Sequence, residues 1–211
     1  MKSWQAGDNF LKQAGLIYEN ELIKKGYNII AGVDEVGRGC IAGGVFAGAA
    51  ILPQGLQING VYDSKALSEK KRNSLADEIK ARAVCYSIKY IDNLYIDEQG
   101  IVKATYEAMR LAVLSLFIKP DVVLVDGNSV DHLNEFYCKF IIGGDKHSHI
   151  IAAASILAKV ERDSYMFKLH EKYPMYGFDK HKGYGTKAHF LALEEYGLCE
   201  YHRKSFLKNY S

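Results

Sequence analysis

The chain has 211 residues, of which 48% are hydrophobic and 25% charged, with a net charge of +2. This is globular composition, which excludes a disordered or fibrous chain and is long enough for one domain with a closed core. Four scattered cysteines (Cys40, Cys85, Cys138, Cys199) argue against a zinc site or a disulfide framework, and no apolar run reaches membrane-spanning length, so an unexported cytoplasmic protein is expected.

Apolar residues at helical spacing (Trp4, Phe10, Leu11, Leu16, Ile17, Tyr18, Leu22, Ile23) predict a helix within residues 1–26, stopped at Lys24-Lys25-Gly26. Next, Ile29, Ile30, Val33 and Val36, then Ile41, Val45, Phe46, Ile51 and Leu52, predict two strands joined by Gly37-Arg38-Gly39. Asp34 and Glu35 lie inside the first strand. Acids in an apolar run need a compensating cation, and a metal ion is one resolution. A hairpin whose acids face water is the other.

Asp63-Ser64-Lys65 reads as a loop into a helix that Ser68 caps and that ends near Ala81, followed by a strand over 83–91. Asp97 is expected to cap one long helix reaching Phe117, stopped by Lys119-Pro120. After Asp121, residues 122–125 are apolar at consecutive positions, which marks a strand covered on both faces, with Asp126 at its carboxyl end, where open α/β sheets build sites. Phe140-Ile141-Ile142 predicts a short strand, and Gly143-Gly144-Asp145 leads into a helix from Ser148 to His170. On that helix Ile156, Val160, Asp163 and Phe167 share one stripe, which turns Asp163 inward, and Ser155, Lys159 and Arg162 share another. Residues 159–211 carry 10 basic and 7 acidic side chains, a mild basic lean, and include the loop His181-Lys182-Gly183-Tyr184-Gly185-Thr186 and a helix over 187–196.

Asp34, Glu35, Asp126 and Asp163 thus form a candidate catalytic and metal-binding set. Four oxygen ligands favour hard magnesium or manganese ions (Mg²⁺ or Mn²⁺), and two such ions stabilise the attacking and leaving oxygens of phosphoryl displacement. Each acid alone also fits a cap, turn or salt bridge. Neither a Gly-x-Ser-x-Gly elbow nor a Walker loop is present.

Taken together, Gly32-Val33-Asp34-Glu35-Val36-Gly37-Arg38-Gly39, Asp63-Ser64-Lys65, Val125-Asp126-Gly127, the run Ile151 to Val160 with Arg162-Asp163, Tyr176-Gly177-Phe178 and His181 to Thr186 resemble the ribonuclease HII branch of the type 2 ribonuclease H family. The resemblance spans about residues 30–206. It implies an α/β, RNase H-like mixed central sheet flanked by helices with a C-terminal helical extension. The expected division is a catalytic domain over 1–170 and a substrate-binding extension over 171–211, packed as one unit. It further implies a metal-dependent endonuclease for RNA–DNA hybrids and ribonucleotide-containing duplex DNA, cutting 5′ of the ribonucleotide and leaving 3′-hydroxyl and 5′-phosphate ends. Ribonucleotide excision repair and DNA replication are the implied setting. Asp34, Glu35, Asp126 and Asp163 match its metal-binding acids, Gly37, Arg38 and Gly39 its ribose-reading loop, and Tyr184 its junction tyrosine. Ser64, Lys65, Ser155, Lys159 and Lys182 are candidates for holding phosphates. Where the family commonly has proline, this chain has Cys40 and Gly44, expected to loosen the loop, and His147-Ser148-His149 also departs from the pattern. A monomer without a protein partner is expected. A two-metal nuclease with another substrate and a hybrid-binding module without catalysis are the alternatives, distinguished by cleavage of all-DNA duplex or by binding without cleavage.

Overall fold

The structure is a computed structural model that describes residues 13–128 and 133–210. Trp4, Phe10 and Leu11 of the expected first helix lie outside the described residues. Within them, helix α1 spans Ile17–Lys24.

Strands β1 (Ile30–Val36), β2 (Val45–Ile51), β3 (Cys85–Ile91), β4 (Val122–Asp126) and β5 (Cys138–Ile141) form one mixed sheet in the order β3-β2-β1-β4-β5. β1 runs antiparallel to β2 and parallel to β4, which in turn runs parallel to β5. Helices cover both faces, which explains why β1, β2 and β4 are apolar at nearly every position rather than at alternate ones. On one face, Ala31, Val33, Ala47, Val123 and Val125 pack against Ala104, Ala108, Met109 and Ala112 of α4 (Ile101–Leu114). The opposite face carries α2 (Glu69–Arg82) and the 24-residue α6 (His149–Lys172).

Helix α6 sits on β1 and β2 at unusually short range. A Cβ on Gly32 would stand 2.5 Å from the carbonyl carbon of Ile150, and one on Gly48 would stand 2.4 Å from the Ala154 oxygen. Only glycine in the strands and alanine in the helix allow this approach, and it brings the α6 side chains to the sheet edge where the acids lie.

Ser68 caps α2 and Ser148 caps α6, as their hydroxyls accept from Lys71 N–H and Ile151 N–H. The single helix expected from Asp97 is instead two. α3 (Asn93–Gln99) is capped by Asp92, and Gly100, at φ +84°, breaks the chain direction before α4. Asp97 accepts hydrogen bonds from the Lys204 and Ser205 amides and the Ser205 hydroxyl, tying α3 to the C-terminal segment.

Beyond α6 the chain forms α7 (Phe178–His181) and α8 (Lys187–Tyr196). Tyr176, Phe178, Leu193 and Leu207 share an apolar cluster with Ile41, Ala42, Met166 and Leu169. The extension therefore packs directly on the loop after β1 and on the end of α6.

Candidate active site

The carboxyl ends of β1 and β4 lie side by side. Val33 pairs with Val125, so the next residues, Asp34 and Asp126, emerge together at the same edge. Successive side chains on a strand point to opposite faces. Asp34 accordingly meets Ser155 of α6, whereas Glu35 faces toward Tyr106 of α4. Carboxylate oxygens of Asp34, Glu35 and Asp126 nonetheless lie within 4.8 Å of one another.

Asp34 is only 4% exposed. Burial, Glu35 and Asp126 push its pKa well above the ordinary carboxylate range. Burial also raises Glu35, with Asp126 adding to the rise and Arg38, 3.6 Å away, opposing it. One oxygen of Asp34 accepts the Glu35 N–H at 2.7 Å, and Asp126 accepts the Gly144 N–H at 2.6 Å. These bonds fix the carboxylates without neutralising them. The donor set is all oxygen, mutually repelling and desolvated at Asp34 and Glu35, which fits a hard divalent cation and not a zinc or copper site.

Asp163 is not part of this group. Lys159 donates to it at 2.7 Å and Arg72 at 3.4 Å, with all three side chains nearly buried. The helical stripe does turn Asp163 inward, but toward α2 rather than toward the sheet. Ser155, which reaches Asp34, is two turns earlier, so Asp163 starts about 12 Å farther along the α6 axis. Arg72 also donates to the Ser64 and Leu67 carbonyls, which makes Asp163 an anchor for the Asp63-Ser64-Lys65 turn.

The acid nearer to the group is Asp145, 7% exposed, on the short helix α5 (Gly144–His147) that follows β5. Burial, Asp126 and Asp63 raise its pKa. The signal in the sequence was its place shortly beyond the carboxyl end of a predicted strand, the sheet edge on which Asp126 also lies.

Of the expected substrate contacts, Ser64 and Ser155 are hydroxyl to hydroxyl at 3.0 Å beside Asp34. Burial opposes the charge on Lys65, but Asp34, Asp145 and Asp63 outweigh it and raise its pKa, so this lysine is a fixed cation at the rim. Gly37, Arg38 and Gly39 follow β1 directly, and the Arg38 side chain is about half exposed. Tyr184 is 37% exposed and forms a β-bridge with Cys40 across from that loop. Two expected residues point elsewhere. Lys159 is held by Asp163, and Lys182 donates to the Asp179 carbonyl with its ammonium 3.8 Å over the Phe167 ring.

The departures also have a structural place. The Cys40 thiol is buried and faces the Lys182 carbonyl, and a Cβ on Gly44 would stand 2.5 Å from the Ile91 oxygen, so the backbone here accepts no side chain as it stands. His149 is fully buried and accepts the Ile58 N–H at 2.9 Å, a packing role away from the acids.

The family model described as Ribonuclease HII matches residues 31–209. Ribonuclease HII from Caldicellulosiruptor bescii is 51% identical over 191 residues, covering 90% of this chain and 92% of that protein. Among solved structures, ribonuclease H2 from Pyrococcus horikoshii OT3 superposes with a TM-score of 0.72 at 28% identity, over 84% of this chain and 93% of that one. RNase HII of Archaeoglobus fulgidus, solved in a PCNA:RNase HII complex, gives 0.71 at 25% identity over 83% and 93%. A match over nearly the whole described chain, on a fold whose sheet edge gathers three acids, establishes that this chain belongs to the ribonuclease HII family, as an endoribonuclease of the ribonuclease H type.

Proposed function

We propose that this ribonuclease hydrolyses the RNA strand of RNA–DNA hybrids and cuts duplex DNA on the 5′ side of an embedded ribonucleotide, leaving 3′-hydroxyl and 5′-phosphate ends. The observation that carries the reading is the convergence of buried Asp34 with the partly buried Glu35 and Asp126, whose carboxylates repel one another and need a cation. Asp145 is proposed as the fourth acid of the set, in place of Asp163.

Magnesium or manganese held by these acids would supply positive charge to the attacking and leaving oxygens of the phosphodiester. The chain's own residues do the rest. Lys65 and Arg38 place two cations at the rim for the phosphates on either side of the cut. Ser64 and Ser155 hold the Asp34 carboxylate in register with the sheet edge. Tyr184 bridges Cys40, the residue that follows the Gly37-Arg38-Gly39 loop, and in this reading the ribose would lie between the loop amides and the tyrosine ring. A 2′-hydroxyl is the group that separates RNA from DNA at such a site.

No helix among the described residues is long and apolar enough to cross a membrane. The proposed setting is cytoplasmic, in removal of ribonucleotides from replicated DNA. The Archaeoglobus fulgidus relative forms a complex with PCNA, so a partnerless monomer is not part of the reading.

The test is cleavage of a DNA duplex carrying one ribonucleotide, with the ends mapped and magnesium compared with manganese. A single cut 5′ of the ribonucleotide, absent without divalent ions, is the expected result. Cutting of an all-DNA duplex, or binding without cleavage in either metal, would refute it.

A further inference from the structure

Two arginines, Arg162 and Arg203, are 0% exposed, and neither lies within ion-pair distance of a carboxylate among the described residues. Isolated buried cations are unfavourable unless every donor is used. Here the donors go to backbone carbonyls. Arg203 donates through Nε to Gly43 O, through Nη1 to Arg38 O and through Nη2 to Gly37 O, at 2.8, 2.9 and 2.8 Å. Arg162 donates to Lys182 O at 2.8 Å and to Gly44 O and Ala42 O at 3.3 Å each. The two forks thus hold the glycine-arginine-glycine loop, the turn after it and the residue two before Tyr184.

Their placement decides which way the loop faces. A trans peptide is planar with its C=O and N–H antiparallel, and no cis bond occurs among the described residues. Because Arg203 draws the Gly37 and Arg38 carbonyls inward, the N–H groups of Arg38 and Gly39 must point the opposite way. Consecutive amides turned to one side make a concave donor site for an oxygen. Gly37 completes the device. It sits at φ +95°, and a Cβ there would stand 2.2 Å from Arg162 Nε, so the Arg162 fork lies flat against the loop backbone. Burial pulls the Arg203 pKa down only to about 10, so the fork stays charged at neutral pH.

We propose that Arg203, with Arg162 beside it, is a positioning residue that aims the Arg38 and Gly39 amides at the ribose oxygen and so sets the preference for a ribonucleotide. The proposal rests on the reading that this loop inspects the ribose. It gives the C-terminal segment a part in selectivity from beneath the site, without contact with nucleic acid.

The test uses the full chain carrying Asp126→Asn, expected to bind without cutting, and fluorescence anisotropy on two duplexes that differ only in one ribonucleotide. The parent is expected to bind the ribonucleotide duplex more tightly. Adding Arg203→Ala or Arg203→Lys is expected to reduce that preference by about tenfold, the scale of a lost charged hydrogen bond, while manganese-induced thermal stabilisation of otherwise wild-type Arg203→Lys is retained. Millimolar guanidinium, against an equal concentration of sodium chloride, is expected to restore the preference of Arg203→Ala. Absence of any preference in the parent would overturn the ribose-reading site itself. A preference in the parent that persists in folded Arg203→Lys would overturn only the role of Arg203. Failure of both variants to fold would mark Arg203 as purely structural and overturn the proposal as well.

Discussion

Replacing Asp163 by Asn separates an anchor from a metal ligand. Asp163, Lys159 and Arg72 expose only 7, 12 and 12% of their side chains, so the neutral isostere leaves a lysine charge buried without its partner. Breaking a buried pair in this way costs about 3 to 5 kcal/mol. The lower end applies, because Asn still offers one carbonyl oxygen and Arg72 keeps its bonds to Ser64 and Leu67. For a chain of this size, about 3 kcal/mol corresponds to a Tm lower by roughly 6 to 12 °C. Asp145→Asn should behave in the opposite way. It removes a desolvated acid repelled by Asp126 and Asp63, so the metal-free protein is expected to melt at the same temperature or higher. The assay is thermal unfolding of both variants with and without manganese, where an ion at a hundredfold excess over its Kd adds about 2.7 kcal/mol. Asp163→Asn is expected to keep that added stability and Asp145→Asn to lose much of it. An Asp163→Asn variant as stable as wild type that no longer responds to manganese would refute the assignment.

Three further outcomes follow from the packing and the titrating groups. Gly48→Ala puts a methyl 2.4 Å from the Ala154 oxygen, so α6 must shift; the expected cost in a urea melt is about 2 kcal/mol, with reduced cleavage, and an unchanged midpoint would contradict the close approach. His189 and His202, bonded ring to ring at 3.1 Å, are held by burial at pKa values of about 4, below the ordinary 6.5. The folded state therefore binds fewer protons than the unfolded one between pH 6.5 and 4; stability is complete above that window and falls with acidification through it, by up to about 3 kcal/mol per histidine. Equal urea midpoints at about pH 7.5, above that window, and about pH 4.5, near its lower end, would show that these rings are solvated. Tyr184→Ala is expected to weaken discrimination of a lone ribonucleotide more than total duplex binding, which anisotropy and cleavage rates on matched duplexes would reveal; equal losses would remove the ring from ribose recognition.

Much of this architecture is legible in the residues. The unbroken apolar stretch before Asp126 announced a strand covered on both faces, and the stripe Ile156, Val160, Asp163 and Phe167 announced a helix with an inward face. Asp34, Glu35 and Asp126 were readable because strand ends at a parallel edge must converge. Asp163 was misplaced because periodicity shows that a helical side chain turns inward but not which neighbour it meets, and α2 supplies that neighbour through Arg72. Asp145 was passed over as part of a glycine-rich lead into a helix, although it lies shortly beyond the carboxyl end of β5, the neighbour of the strand that Asp126 ends. The break at Gly100 was hidden because the same residue serves the end of one helix and the start of the next. Arg162 and Arg203 gave no warning of burial, since arginine in a sequence reads as surface until a set of carbonyls is seen around it.

The most direct measurement is anomalous diffraction from crystals of the protein soaked in manganese. The account predicts a peak bounded by the carboxylates of Asp34, Glu35, Asp126 and Asp145, with none at Asp163. A peak ligated by Asp163, or no peak among the three clustered acids at saturating manganese, would contradict it.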